Sequence, residues 1–490
     1  MVKEVLALTV FTSLIFALST DLSPQELYWE PEIDLCENMV NYNFAYSHYS
    51  NFITTTPNNW VHLIWYRLVN YYVLLKSWSQ SGPWLSEETV SLGNISFSYN
   101  ERPSIASDSN NNLHIIWRGR PTGFDNFWLF YRAKKNGIWS EICSLPTKSS
   151  NVQYAKIAGG KGDTAHIVFY LDWGGTWRIG YAKVYPSLPT PTVIDIDTIS
   201  PMEWQDTSAY PHIAVDGTNR VHIVWQADIN INNSFPNIFY RMRDENGNWK
   251  TIETVSIYPR SVHNQYPRVN IDSEGNIHVT WMGYTQRFNH IAHRIKTRSG
   301  WQPVEIVPGE IQRYNPVAAI DPFNNLHVVY YSYEYNPTFP NIVYFKRTPE
   351  GIWEGPLFLT TQTTYHRWHP DIACSREGNI HVGFMDTRFN SYYHIFYKRH
   401  VFGSDISSKF QYNSLILSSY IFRRNKKIYY KLPIKTKASL KIYNSFGKLI
   451  STVVSEKDSF IIDIKNLPAG VYFIEFNFNE SKEKKKLIIY

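Results

Sequence analysis

The chain has 490 residues, 43% of them hydrophobic, which is enough to bury a large core. Its net charge of +6 is confined to the end: residues 413–490 hold 15 Lys+Arg against 6 Asp+Glu, so the basic surplus says nothing about a ligand for the rest. Those lysines are spread along β-type runs with little aromatic interleaving, which argues against nucleic acid. Three cysteines, Cys36, Cys143 and Cys374, are too few and too scattered for a disulfide framework or a metal site.

Residues 1–19 begin with Lys3, run apolar from Val5 to Leu18 and end in Ala17-Leu18-Ser19. They read as a secretory signal peptide, because the apolar run falls short of the roughly 20 residues of a membrane span. No later apolar stretch is long enough for a span. From Trp29 the text Trp29-Glu30-Pro31-Glu32-Ile33-Asp34-Leu35 has the pattern of Trp353-Glu354-Gly355-Pro356-Leu357-Phe358-Leu359.

Beyond Trp29–Leu35 a histidine recurs in one setting, apolar-His-apolar-x-aromatic, at 62, 114, 166, 222, 278, 327 and 381, so the copies stand 49 to 56 residues apart. A period of that size built from short β-runs predicts a repeat architecture. Each unit reads as four strands. The first follows a proline, as in Pro103-Ser104-Ile105-Ala106, Pro211-His212-Ile213-Ala214 and Pro370-Asp371-Ile372-Ala373, where a proline opening a strand costs no ladder bond. A polar turn such as Asp108–Asn112 leads into the histidine strand, whose two apolar faces require neighbours on both sides. The third strand is Ile-x-Tyr-Arg-like (Ile238–Arg241, Ile395–Lys398), and a Gly hairpin then places a tryptophan at the start of the fourth (Gly137/Trp139, Gly247/Trp249, Gly300/Trp301, Gly351/Trp353). Four-stranded antiparallel units repeated seven times predict an all-β, seven-bladed propeller over residues 20–402. The seventh unit lacks a tryptophan strand, and the segment at Trp29–Leu35 is expected to supply it and close the ring. The seven histidines, one per blade, are expected to bond neighbouring groups rather than a metal.

After a linker at 403–412 the text changes. Alternating runs at 427–433, 438–443, 460–464, 470–476 and 487–490 predict a small β-sandwich over 413–490. Leu440-Lys441-Ile442-Tyr443-Asn444-Ser445-Phe446-Gly447-Lys448, Leu467-Pro468-Ala469-Gly470-Val471-Tyr472-Phe473 and Lys484–Tyr490 resemble, in that order, a type A sorting domain of the type IX (Por) secretion system. The resemblance implies export to the outer cell surface or the medium, with the secretion machinery as a partner. The repeats resemble sialidase-like, or BNR-repeat, propellers with degenerate Asp-boxes, the fullest being Asp244-Glu245-Asn246-Gly247-Asn248-Trp249. That resemblance implies an arginine triad, a Tyr–Glu nucleophile pair and an Asp acid. Arg102, Arg268, Arg313, Arg367 and Arg388 and the neighbouring Glu334, Asp125 and Asp386 are the side chains to inspect, but the sequence assigns no such set.

The loops entering first strands and leaving second strands share one face and are rich in aromatic and polar residues. They carry Trp128, Trp173, Trp177, Trp204, Tyr284, Arg287, Tyr333, Tyr335, Trp368, Arg388 and Tyr392. Rings stack on sugar faces while Arg, Asn and Asp take hydroxyl or carboxylate bonds. The expectation is a secreted or surface-displayed propeller that binds glycan or another surface ligand through this face. It needs no cofactor or metal and has no transmembrane segment in the mature chain. A sialidase-like exo-glycosidase and a structural surface protein are the alternatives.

Overall fold

In the computed structural model, described residues run from 29 to 489 except 37–42, 47–50, 148–150, 202–203, 205–207, 229–234, 257–262, 285–288, 310–311, 335, 362, 390–391, 402–426, 432–437, 445–447, 456–458, 464–469 and 479–480. The segment expected to be a signal peptide and the linker at 403–412 lie outside them. The chain divides into two units, residues 1–402 and 403–490.

The first unit is the seven-bladed propeller, all antiparallel β. The inner strands of blades 1 to 7 are Ile53–Thr55, Phe97–Ser107, Val152–Gly159, Ser208–Val215, His263–Ile271, Arg313–Ile320 and Arg367–Cys374. Each pairs with the histidine strand that follows it, and that strand pairs with the third. The blades bond directly to one another at the axis: Ser107 Oγ donates to Thr55 O (2.7 Å), and Thr55 Oγ1 donates to Cys374 O (2.7 Å), joining blade 2 to 1 and 1 to 7.

The closing strand is where the repeat pattern placed it. Ile33 and Asp34 pair antiparallel with Tyr397 and Phe396, and Trp29 bridges His400. A repeated contact shows the equivalence. Lys398 Nζ of blade 7 donates to Leu359 O at the end of blade 6 (2.8 Å), and Arg294 and Arg241 donate likewise to Val255 O and Ile199 O. At the last junction Lys76 Nζ of blade 1 donates to Leu35 O (3.1 Å), so Leu35 stands where Leu359 stands.

The histidines are structural, and the repeat supplies their partners. His114 is held between Asp108 (Nε2 to Oδ2, 3.0 Å) and the Tyr131 hydroxyl (Nδ1, 2.6 Å). His327 sits between Asp321 (3.1 Å) and Tyr344 (2.7 Å), and His222 between Asp216 and Tyr240. His166 and His381 keep the tyrosine, Tyr181 and Tyr397, and His62 bonds Ser77 instead. The aspartates belong to the tight turns after the inner strands, so this layer runs around the face opposite the long loops.

Two sequence expectations need correction. The prolines do not open the inner strands. Pro103, Pro211, Pro267, Pro316 and Pro370 lie inside them, at a β-bulge where the register slips between the residue two before each proline and the one after it. The bulge leaves a position with no ladder bond to make, which is where a residue without an N–H fits. The tryptophan strand is also mostly broken. Trp139, Trp249 and Trp301 make only a short bridge, and pairing resumes at Cys143–Ser144, Glu253–Thr254 and Glu305–Ile306. These indoles instead donate to an acid on the preceding blade: Trp139 to Glu88 (3.0 Å), Trp249 to Asp197 (2.9 Å), Trp301 to Glu253 (2.8 Å). Blade 6 alone keeps a continuous strand, Trp353–Phe358. The third blade, with no Gly-Trp hairpin, reaches its outer strand Thr192–Thr198 by a longer turn.

The second unit forms a four-stranded antiparallel sheet, ordered Leu449–Ser455, Ala438–Asn444, Gly470–Phe478, Ser481–Ile489, and a two-stranded sheet of Lys427–Lys431 with Ser459–Asp463. The strand Leu449–Ser455 is additional to the runs that the sequence pattern predicts. All three cysteines are free thiols. Among the described residues no helix is long and apolar enough to cross a membrane.

Candidate functional site

The bulges build the mouth of the propeller. The residue before the bulge proline is held at positive φ in five blades: Arg102 (53°), Tyr210 (49°), Tyr266 (54°), Asn315 (50°) and His369 (50°). Tyr154 (21°) does the same before Ala155. Positive φ is costly for bulky side chains, and repeated strain of this kind is a mark of sites where a side chain must be aimed. Here it turns one side chain from each of blades 2 to 7 into a belt around the axis. The Arg102 guanidinium lies 4.2 Å from the Tyr154 ring centre, Tyr154 stacks on Tyr210 (5.7 Å, 11°), and Tyr210 meets Tyr266 edge-on (4.8 Å). On the other side Asn315 Nδ2 approaches His369 Nδ1 (3.3 Å), and Tyr46 packs edge-on to His369 (4.8 Å).

Between blades 3 and 4 the belt opens into a cavity of about 490 Å³ lined by Gln153, Tyr154, Tyr170, Trp177, Ala209, Tyr210, Gln226, Asp228 and Pro236. Trp177 stands edge-on to Tyr170 (4.9 Å), so two aromatic walls face amide and carboxylate groups. Arg102 Nη1 donates to Gln153 Oε1 (2.9 Å) at its rim. Beside it Arg118 donates to Glu101 (2.5 Å) and covers Phe127 (3.8 Å to the ring centre). Burial raises the Tyr170 and Tyr210 phenols well above their ordinary value, with neighbouring tyrosines adding to it. They are therefore protonated hydroxyls at neutral pH, able to donate and accept. Burial also lowers His369, so its imidazole is neutral. The chemistry on offer is stacking and hydroxyl and amide hydrogen bonding, beside a rim guanidinium, Arg102, that is itself ion-paired with Glu101 (3.5 Å). Among the described residues the belt brings no three His, Cys, Asp or Glu side chains together as metal ligands.

Of the side chains proposed from sequence, Trp177 lines the cavity. Tyr284 is 41% exposed beside His263, and Tyr333 packs edge-on to Tyr314 (5.8 Å). Trp128 packs against Phe124 (5.3 Å), and Trp368 stacks on His366 (4.8 Å) and Tyr393 (6.2 Å), both half-buried. Trp204 folds inward onto Phe239 (4.8 Å) and the fully buried Trp225 (6.3 Å), a packing position. Arg287, Tyr335 and the side chains of Trp173 and Tyr392 lie outside the described residues.

The arginines are taken up by other partners. Arg388 bonds Glu32 (2.6 Å) and Asp386 (2.7 Å), and Arg367 bonds the same two acids (3.2 and 2.6 Å). Arg313 bonds Glu334 (2.9 Å) and the carbonyls of Val307 and Pro308 (both 2.9 Å). Arg268 is buried at the axis, one layer below the belt, and donates to Asn51 Oδ1 (3.2 Å). Glu334 thus serves Arg313, and Asp386 serves Arg367 and Arg388. The sequence missed Tyr154, Tyr170, Tyr210 and Gln153. An aromatic residue before the inner-strand proline, as in Tyr210-Pro211, is a signal that could have found Tyr210; Tyr154, Tyr170 and Gln153 precede no proline.

The class is thus an all-β propeller carrying a C-terminal export domain. Residues 425–490 match the family model described as a secretion system C-terminal sorting domain, which places the protein outside the cell, secreted or at the outer surface. No curated protein matches the chain by sequence. Among solved structures it is similar to an ulvan lyase of polysaccharide lyase family PL25 (9% identity, TM-score 0.53, 72% of this chain and 93% of that one). It is also similar to the polysaccharide lyase Uly1 (9% identity, TM-score 0.53, 76% and 99%). A Dyadobacter fermentans protein of unknown function matches at 12% identity and TM-score 0.49 over 77% and 99%. At these identities the likeness is one of fold.

Proposed function

We propose that the protein is an exported, surface-displayed or released propeller that binds polysaccharide at its mouth. The observation that carries the reading is the strained belt opening into the cavity between blades 3 and 4. Tyr154, Tyr170, Tyr210 and Trp177 supply rings for sugar faces, Gln153, Gln226 and Asp228 take hydroxyls, and Arg102, which shares Glu101 with Arg118, is the cation at the rim that a carboxylate or sulfate would meet in exchange for that pair. The fold similarity to structures of polysaccharide lyases, one of them bound to a glucuronate–sulfated rhamnose unit, supports an anionic glycan. It also favours a second reading, in which the same mouth cleaves the chain. A sialidase-like hydrolase has less support, since Arg313, Arg367 and Arg388 are each held by acids rather than gathered on one free site.

The test is titration of full-length protein with neutral and uronate-containing polysaccharides, read by tryptophan fluorescence, with Trp177→Ala and Tyr210→Ala as variants. Binding of at least one acidic polysaccharide, weakened about tenfold or more in both variants, is expected. A flat response across the panel removes the reading. Unsaturated-uronate absorbance appearing on incubation would select the enzyme over the binding module, and release from a fluorogenic sialoside would select the hydrolase.

A further inference from the structure

The ring's closing junction differs from four of the others in its polar side chains. At the end of blades 1, 3, 4 and 6 a hydroxyl residue, Ser91, Ser200, Ser256 or Thr360, accepts a backbone N–H from the start of the third strand at 2.9–3.0 Å. In blade 7 that acceptor is Cys36, whose Sγ takes the N–H of Ile395 at 3.3 Å. In blades 4 and 6 an asparagine one residue earlier on the third strand bonds the hydroxyl, whereas blade 7 has His394. Where those blades carry Thr254 and Phe358, the closing strand carries Asp34. Three neutral positions have become a carboxylate, a thiol and an imidazole together.

The three side chains meet. Their ligating atoms lie within 4.8 Å of one another, the one such group among the described residues. Asp34 Oδ2 is 2.8 Å from His394 Nδ1, and Asp34 Oδ1 accepts the Cys36 N–H at 2.9 Å. The His394 side chain is fully buried, and its Nε2 has no hydrogen-bond partner. Nδ1 is the ring nitrogen that faces Asp34, so it is the atom that would ligate.

The geometry points to a divalent metal site at Asp34, Cys36 and His394, of the zinc class, clamping the N-terminal closing strand to blade 7. A sulfur, a nitrogen and a carboxylate oxygen suit zinc, with water in the fourth position, and small side-chain rotations bring them to the roughly 2.0–2.3 Å that such bonds require. On binding, the Cys36 S–H bond breaks, its proton leaves to solvent and the sulfur–metal bond forms. Thiolate and carboxylate then balance the two positive charges of the ion. Because Asp34 and Cys36 arrive from the start of the chain and His394 from the end of the ring, the ion would lock the closure.

The test uses full-length protein stripped with a chelator and titrated with Co²⁺, then Zn²⁺. The expected result is one tightly bound ion per chain, a sulfur-to-cobalt charge-transfer band that Zn²⁺ abolishes, and a melting temperature raised by Zn²⁺. Cys36→Ser copies the serine of other junctions and so should fold. It is expected to lose the band and the response to Zn²⁺. His394→Asn copies blades 4 and 6 and is expected to weaken Zn²⁺ binding at least about tenfold. Absence of the band in the wild type, or wild-type Zn²⁺ affinity in Cys36→Ser, would overturn the site.

Discussion

Acidification should destabilise the propeller before its carboxylates protonate. Burial lowers His62, His166 and His381 to about 3 from the ordinary 6.5, and none of these three bonds an aspartate as His114 and His327 do. In the folded state they are neutral, and in the unfolded chain they take up protons below about pH 6.5. The stability they contribute is therefore whole above pH 6.5 and falls as pH drops toward 3. Each adds a slope of about 1.4 kcal/mol per pH unit, so at pH 5.5 the three together cost about 4 kcal/mol. That is a large share of the roughly 5–15 kcal/mol by which domains are stable. The Asp216, Asp272 and Asp321 carboxyls are held below their usual range by the paired histidine and turn amides, against the opposing effect of burial. They add a second loss in the same direction below about pH 4. Urea unfolding followed by tryptophan fluorescence at pH 8, 7, 6 and 5.5 measures the slope. His166→Gln should reduce it by about one proton's worth. A midpoint that does not move between pH 7 and 5.5, or an unchanged slope in the variant, refutes the assignment of these histidines as buried and neutral.

Deleting residues 21–40 removes the strand that pairs with blade 7 and should lower the melting temperature sharply; an intact melting curve would show that the ring closes without it. At Gly159 a Cβ would stand 1.9 Å from Ser107 O, where blades 2 and 3 touch through backbone, so Gly159→Ala should cost about 3 kcal/mol in denaturant titration. Arg102→Ala should weaken binding of uronate-containing polysaccharide about tenfold while leaving neutral glycans unaffected, as read by affinity electrophoresis.

The ring was legible because its signals are local and repeated. Trp29–Leu35 copies Trp353–Leu359, and the structure uses Leu35 and Leu359 for the same carbonyl contact. The mouth was legible only in outline. Tyr154 and Tyr210 reach it through a backbone conformation at the bulge, which residue type does not disclose. Trp204 resembles any loop aromatic in sequence, yet it turns into the core against Trp225. Arg388 and Glu32 are 356 residues apart, so their ion pair exists only because the ring closes. The Asp34–Cys36–His394 group was hidden for the same reason, since counting cysteines along the chain says nothing about a histidine brought in from the far end.

The decisive measurement is amide hydrogen exchange on the full-length protein with and without a saturating acidic oligosaccharide. Protection should appear in the peptides containing Gln153–Ala155, Ala209–Pro211 and Gln226–Asp228, at the mouth. Protection confined to the turns at Asp108–Asn112, Asp216–Arg220 and Asp272–Asn276, on the opposite face, would contradict the site.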